Sequence, residues 1–290
     1  MTTFVQLTIT GLANGAVLAL AALGFVLIFK ATGVINFAQG DFLLIGAFAV
    51  WSFVVQVGLH WTVAVAAALL LAVVLGVLVE RLVLRPMIGE DPVAVIMVTI
   101  GLAAVLQAGV QMIWGVTPRR LPEFIPQGVF RLGAVTIPQD RVFAVLIAAV
   151  VLATFSVFFT RSRHGIAMRA VADDQQAALL QGISVRRIFA MAWALAAVSA
   201  VIGGTLLANL TGVSGTITEI GLLVFAVVIV GGLDSIPGAI VGGAIVGLLQ
   251  QYTSGYIGGG LQQVVPFVVL VLILLVRPYG LFGEVRIERV

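Results

Sequence analysis

The 290 residues are 61% hydrophobic and only 9% charged, with a formal net charge of +3 and a mean hydropathy of +1.22. A soluble domain carries about 25% charged residues, so a soluble globular protein is excluded. The chain has no cysteine, which excludes disulfides and thiol chemistry. Its basic balance is built from Arg in loops, which orients a membrane chain and is no sign of nucleic acid as a partner.

Apolar runs of about 18 residues or more recur along the whole length, so the chain reads as an all-α polytopic membrane protein, one transmembrane domain over 1–290 in the lipid bilayer. The first residues, MTTFVQLTIT, have no basic region and no clear cleavage site, and the first run is therefore read as a retained span. Nine segments meet or approach the length that crosses a bilayer: 4–29, 39–57, 61–84, 93–114, 141–160, 187–209, 217–233, 236–254 and 262–277. Several are short or interrupted by Gly and Pro, so eight spans plus broken helices stands beside nine. No ten-residue alternation appears, which excludes a barrel.

The first interruption is 32–41, TGVINFAQGD, where an apolar helix runs into Gly33, Asn36, Gln39, Gly40 and Asp41 before a new apolar run begins. Irregular backbone at membrane depth is tolerated where it lines a cavity or is buried in protein, and transporters place such breaks at the substrate site. The competing reading is a short loop at the cytoplasmic surface with Asp41 capping the next helix. Ahead of it, Asn14 lies in mid-span beside Gly11 and Gly15 and is a candidate to line the path. Further on, Thr99, Ala103, Gln107 and Gln111 share one helix face. That weakly polar stripe serves either as interhelical glue or as hydrogen-bonding groups along a path.

Residues 115–140 form the longest external connection, with Pro118, Pro122, Pro126 and Pro138 excluding a continuous helix and suggesting a stiff, folded cap. It is either an ordinary loop or a surface that receives a soluble delivery protein. The polar island Arg161–Arg187 follows, with seven charged residues among its 27. It cannot sit in hydrocarbon. It reads as two short helices, roughly 165–172 and 174–181, with Asp173 and Gln176 at capping-box spacing, Gly182 ending the second helix and Ser184 capping the next span. An interfacial helix pair would need more apolar area than its Ala-rich side offers, which favours a protein partner.

Nine crossings with this island inside give eleven basic residues on inner segments, Arg286 and Arg289 of the tail included, against four outside. By the positive-inside rule the N-terminus is then outside and the C-terminus cytoplasmic. A second interruption, 232–238 (GLDSIPG), repeats the design of the first, and two such breaks in the two halves point to an internal repeat. The GxxxG pairs Gly11/Gly15, Gly238/Gly242 and Gly243/Gly247 read as close helix contacts before pore lining. Glu219 reads as a helix-start carboxylate. Two histidines without cysteine make no metal cluster, the lone Lys30 belongs to no phosphate loop, and no span carries a proton relay. Enzyme chemistry, metals and cofactors are therefore not expected.

The run Gln176-Ala177-Ala178-x-x-x-Gly182 resembles the EAAxxxG core of ABC-importer permeases, with Gln in place of Glu. With RAVADDQQAALLQGI, GVINFAQGD and GGLDSIPGAIVGG in order, the chain resembles the LivH-type branched-chain amino acid permeases from about residue 12 to 283. The resemblance implies a non-catalytic importer subunit of a bacterial inner membrane that moves its substrate by alternating access. It implies four kinds of companion: a second related permease, two ATPase subunits, an extracytoplasmic binding protein and the bilayer. Arg169, Asp173, Asp174, Gln176, Ala177, Ala178 and Gly182 would sit in a groove on the ATPase. Asn36, Phe37, Gln39, Gly40, Ser235 and Pro237 would line or shape the path. Similar permeases serve urea, short amides and carboxylates, which stay open as substrates. A stand-alone secondary transporter would need coupling-ion ligands in its spans, and the sequence offers none.

Overall fold

The computed structural model describes residues 2–132, 135–258 and 260–283. The basic tail residues Arg286 and Arg289 lie outside them. The elements are α1 (Thr2–Thr32), α2 (Gln39–Trp51), α3 (Trp61–Val79), α4 (Pro92–Trp114), β1 (Val129–Leu132), β2 (Val135–Pro138), α5 (Gln139–Arg161), α6 (Arg163–Asp173), α7 (Gln175–Leu180), α8 (Val185–Thr211), α9 (Thr216–Gly231), α10 (Ile236–Tyr252) and α11 (Val265–Val276). Helices α2, α3 and α10 each continue into a π-helical turn, at Ser52–Gln56, Glu80–Leu84 and Thr253–Ile257.

Each of the nine apolar segments is helical, but they are not nine full-length spans. Six helices among the described residues are long and apolar enough to cross a bilayer, against the eight or nine expected. Helices α9 and α10 meet at a bend of 118° and add at most a seventh. The reason is length: the 16 residues of α9 reach about 24 Å and the 12 of α11 about 18 Å, against a core of roughly 30 Å.

Helix α1 is the axis of the bundle, and glycine sets how closely its neighbours approach. A Cβ at Gly15 would stand 2.6 Å from the carbonyl of Gly243, so only glycine permits this contact. Gly11 meets Gly247 in the same way, which makes α1 and α10 antiparallel neighbours joined along both GxxxG faces. Gly242 packs on the Val227 carbonyl of α9. These glycines serve packing. Helix α8 closes the core on the other side with Trp193, Ala196 and Ala200 fully buried.

Outside the bundle core, β1 and β2 form an antiparallel pair within the 115–140 connection. That connection is pinned by a two-way backbone pair between Arg119 and Val213, each 2.8 Å, at the start of the α8–α9 turn. The Arg119 guanidinium lies 5.2 Å from the Trp51 ring centre, a cation–π contact. At the opposite end, Glu80 is buried in the π turn of α3 and takes both a 2.7 Å and a 3.1 Å bond from Arg85. Nothing in the spacing of the sequence singles out that pair.

Candidate functional site

The chain between α1 and α2 does not simply turn back at the end of α1. Gln39, the first residue of α2, reaches the Ala21 carbonyl with its Nε2 at 3.5 Å. Ala21 lies eleven residues before Thr32, about 16 Å up the axis at 1.5 Å per residue. Residues 33–38 therefore climb back along α1 before α2 begins, and the break stands at the depth of the bundle interior. Of the two readings of this stretch, the surface loop is the one the structure rejects.

Backbone groups freed in such a break must be satisfied internally. Asn36 Oδ1 accepts from the Ala38 amide at 3.0 Å, and its Nδ2 donates to Gln39 Oε1 at 3.4 Å. Thr99 of α4 donates to the carbonyls of Ile35 (3.2 Å) and Ile96 (2.8 Å), and its hydroxyl accepts from the Phe37 amide at 3.4 Å. Gln39 and Thr99 are thus buried braces behind the break. Gly40 lets α2 touch α9: a Cβ there would lie 2.5 Å from the Thr218 carbonyl. One residue on, Asp41 is 2% exposed and its Oδ1 accepts from Thr218 Oγ1 at 3.4 Å.

In front of these braces lies a cavity of about 330 Å³. The break gives it Asn36, Phe37 and Asp41, α4 gives Ala103 and Gln107, and α9 with its leading turn gives Gly215, Thr218, Glu219 and Phe225. Three rings form a connected wall, Phe25 to Phe225 at 5.6 Å edge-on and Phe37 to Phe225 at 5.4 Å. The polar stripe on α4 turns out to straddle the site, with Thr99 bracing the break and Gln107 at the cavity.

The second break is built otherwise and sits elsewhere. Ser235 caps α10 by accepting from the Gly238 amide at 3.0 Å, and Pro237 occupies the first turn. Both line a separate cavity of about 250 Å³ with Lys30, Thr160, Arg169 and Phe282. Lys30 donates to the Asp234 carbonyl at 2.9 Å, and Arg169 to the Thr160 carbonyl at 3.4 Å. Of the path residues named from the sequence, Asn36, Phe37 and Gln107 line the first cavity and Ser235 and Pro237 the second, while Gln39, Gly40 and Thr99 stand behind the first. Asn14 belongs to neither: it accepts from Arg141 Nη1 at 2.7 Å, a tie between α1 and the start of α5.

The polar island forms α6 and α7 as expected, with one shift. Asp174, not Asp173, caps α7, accepting from the amides of Gln176 (2.8 Å) and Ala177 (2.9 Å). Only Asp174 has the extended backbone (φ −154°) that a cap requires; Asp173 is still in α6. Gly182, at φ +78°, closes α7, with Gly182 N to Leu179 O and Ile183 N to Ala178 O both at 3.0 Å, a Schellman end. Met168, Val171 and Ala178 anchor the pair, while Leu179 and the 88% exposed Leu180 face outward.

Helices that span a bilayer, a helix broken at bundle depth and a mixed polar and aromatic cavity in front of the break define a membrane transport protein. The family is then settled by comparison. Residues 7–274 match the model of the branched-chain amino acid transport system permease component, and the chain belongs to that family. It is 30% identical to the LivH high-affinity branched-chain amino acid transport permease of Escherichia coli K12, over 99% of this chain and 98% of that one. The BraD permease of Pseudomonas aeruginosa is 29% identical over the same shares, and the probable LivH permease of Methanocaldococcus jannaschii 26%, over 92% and 88%.

Proposed function

We propose that the chain is the membrane permease subunit of an ABC importer, providing half of an alternating-access path for branched-chain amino acids. The observation that carries this reading is the cavity at the α1–α2 break, whose lining includes the exposed Gln107, Glu219 and Leu222. A second, related permease would close it. The chain itself is not catalytic; ATP hydrolysis belongs to two partner ATPase subunits, and delivery to an extracytoplasmic binding protein.

The exposed face of α6 and α7 is the ATPase dock in this reading. Asp174 and Gly182 shape its ends, Ala178 seats it, and Arg169, Asp173, Gln176 and Ala177 complete the segment. Exposed Leu179 and Leu180 beside polar neighbours fit a protein groove better than water. Arg169 also borders the cavity at the second break, so movement of the dock reaches the inner end of the bundle directly. The same grouping of Lys30, the end of α5 and the second break supports an inner side there, with the N-terminus outside and the C-terminus cytoplasmic. The bent α9–α10 pair and the short α11 then complete the passage through the bacterial inner membrane as broken or partial segments, not as full-length spans. The α1–α2 and α9–α10 pairs are halves of a repeat, a reading supported by the way α1 packs on α10 and α2 on α9.

The test is purification of the tagged chain in mild detergent, followed by reconstitution with whatever accompanies it in stoichiometric amounts. ATP-dependent leucine uptake, with a second permease and an ATPase in the preparation, is the expected result. A chain that purifies alone and transports without ATP would overturn it.

A further inference from the structure

We propose that the cavity at the first break recognises the ammonium group of its substrate, with Asp41 and Glu219 as the acceptors. This rests on the permease reading and adds the sign of charge that the path accepts. It narrows the substrate from amides, carboxylates and amino acids to primary amines with a compact apolar body, amino acids among them.

Three features converge on that chemistry. The first is a pair of carboxyl groups on facing elements. Asp41 is buried in the first turn of α2, and its one side-chain partner, Thr218 Oγ1, is a long 3.4 Å away. A carboxylate offers about four lone-pair sites, so most of its accepting capacity is uncommitted. Glu219, next to Thr218 on α9, is exposed and opens on the same cavity, and its side chain has no hydrogen bond or ion pair among the described residues.

The second feature is what the lining lacks. No Lys, Arg or His lines this cavity, and its other polar side chains are the amides Asn36 and Gln107 and the hydroxyl of Thr218. An anion entering without an ammonium group would meet two carboxyls and no cation, while a zwitterion can turn its own carboxylate toward the amides. The third is the wall of Phe25, Phe37 and Phe225, which gives the apolar body of such a substrate a surface to lie against. At about 330 Å³ the space falls within the range of small-molecule sites.

The experiment uses the purified permease assembly without its binding protein, so that the binding protein's selectivity does not intrude. Two probes share one branched body: 3-methylbutylamine, a cation, and 3-methylbutanoate, an anion. Ligand-observed saturation-transfer NMR should show saturable binding of the amine and none of the acid. The double variant Asp41→Asn with Glu219→Gln should weaken the amine by at least about tenfold, the scale of losing charge-assisted hydrogen bonds. The variant Asp41→Glu, made alone, should retain binding. Equal binding of both probes, binding of neither, or an amine affinity unchanged in the double variant would overturn the proposal. If the double variant fails to assemble, the wild-type comparison of amine with acid decides alone. ATP-driven leucine uptake by the complete wild-type importer tests the permease reading separately. Uptake without amine preference sinks only the ammonium site, whereas absence of uptake sinks the permease reading whatever the amine does.

Discussion

The break between α1 and α2 and the break between α9 and α10 both interrupt an apolar run with Gly and a few polar residues, yet different groups seal them. At the first, side chains do it: Asn36, Gln39 and Thr99 satisfy the freed backbone, and a cavity lies in front. At the second, backbone does most of it: the amides of Leu281 and Phe282 donate to the carbonyls of Val230 and Gly231 at 3.0 and 2.9 Å. Gly231 and Gly238 press backbone on backbone. The first break thus leaves polar side chains at its cavity. A break held by backbone is a mechanical corner, and this one adjoins the α6–α7 pair through Arg169.

That contrast can be broken or sharpened by substitution. The largest effect is expected from Gly40→Leu. Its Cβ alone would lie 2.5 Å from the Thr218 carbonyl, so α2 must leave α9 and the cavity loses a wall. Overpacking of this kind costs about 1–3 kcal/mol or more. Uptake should fall to background, with less folded chain recovered from membranes; normal uptake would mean that the α2–α9 contact is dispensable.

Asn36→Leu comes next. It leaves the Ala38 amide without its 3.0 Å acceptor, a loss of about 1–3 kcal/mol locally, and removes an amide from the cavity. Uptake should drop by about tenfold with the importer still assembled, as judged by copurification. Unchanged uptake would take the side chain off the path.

Gly182→Leu tests the dock. A non-glycine residue at φ +78° costs roughly 1–2 kcal/mol, and nothing else crowds that position, so the chain should still insert. Copurification of the ATPase should fall several-fold, and transport with it. A fully retained ATPase would refute the assignment of α6 and α7.

The smallest effect belongs to the mechanical corner. Ser235→Ala removes one helix cap, worth about 1 kcal/mol. A modest decrease in melting temperature with near-normal uptake is expected. A loss as large as that of Asn36→Leu would erase the distinction between the two breaks.

The helical membrane character and the glycine faces were legible because composition and four-residue spacing carry them. Gly11, Gly15, Gly243 and Gly247 meet much as their spacing suggests. Helix length was misjudged where apolar runs are short: a run such as 217–233 reads as a span until the corner at Gly232 shows that α9 stops and turns. The cavity was only partly legible. Asn36, Phe37 and Gln107 stood out as polar or interrupted positions in greasy runs. Asp41 and Glu219 read as helix-start carboxyls because one-dimensional spacing cannot show that residues 33–38 climb back along α1 and bring both to one space. Asn14 was drawn toward the path for its polarity alone, and its partner Arg141 is 127 residues away. Asp173 and Asp174 are adjacent and chemically identical, and only backbone conformation separates cap from helix.

The account's central claim is that the cavity at the first break is part of an alternating path. The chain has no cysteine, so a single thiol reports without background from this chain. Placing it at Gln107→Cys in the reconstituted importer, and measuring maleimide modification of this chain by mass, tests the claim most directly. The account predicts modification by an impermeant reagent from one side in the nucleotide-free state and protection when ATP is trapped. Modification at the same rate in both states, or in neither, would contradict it.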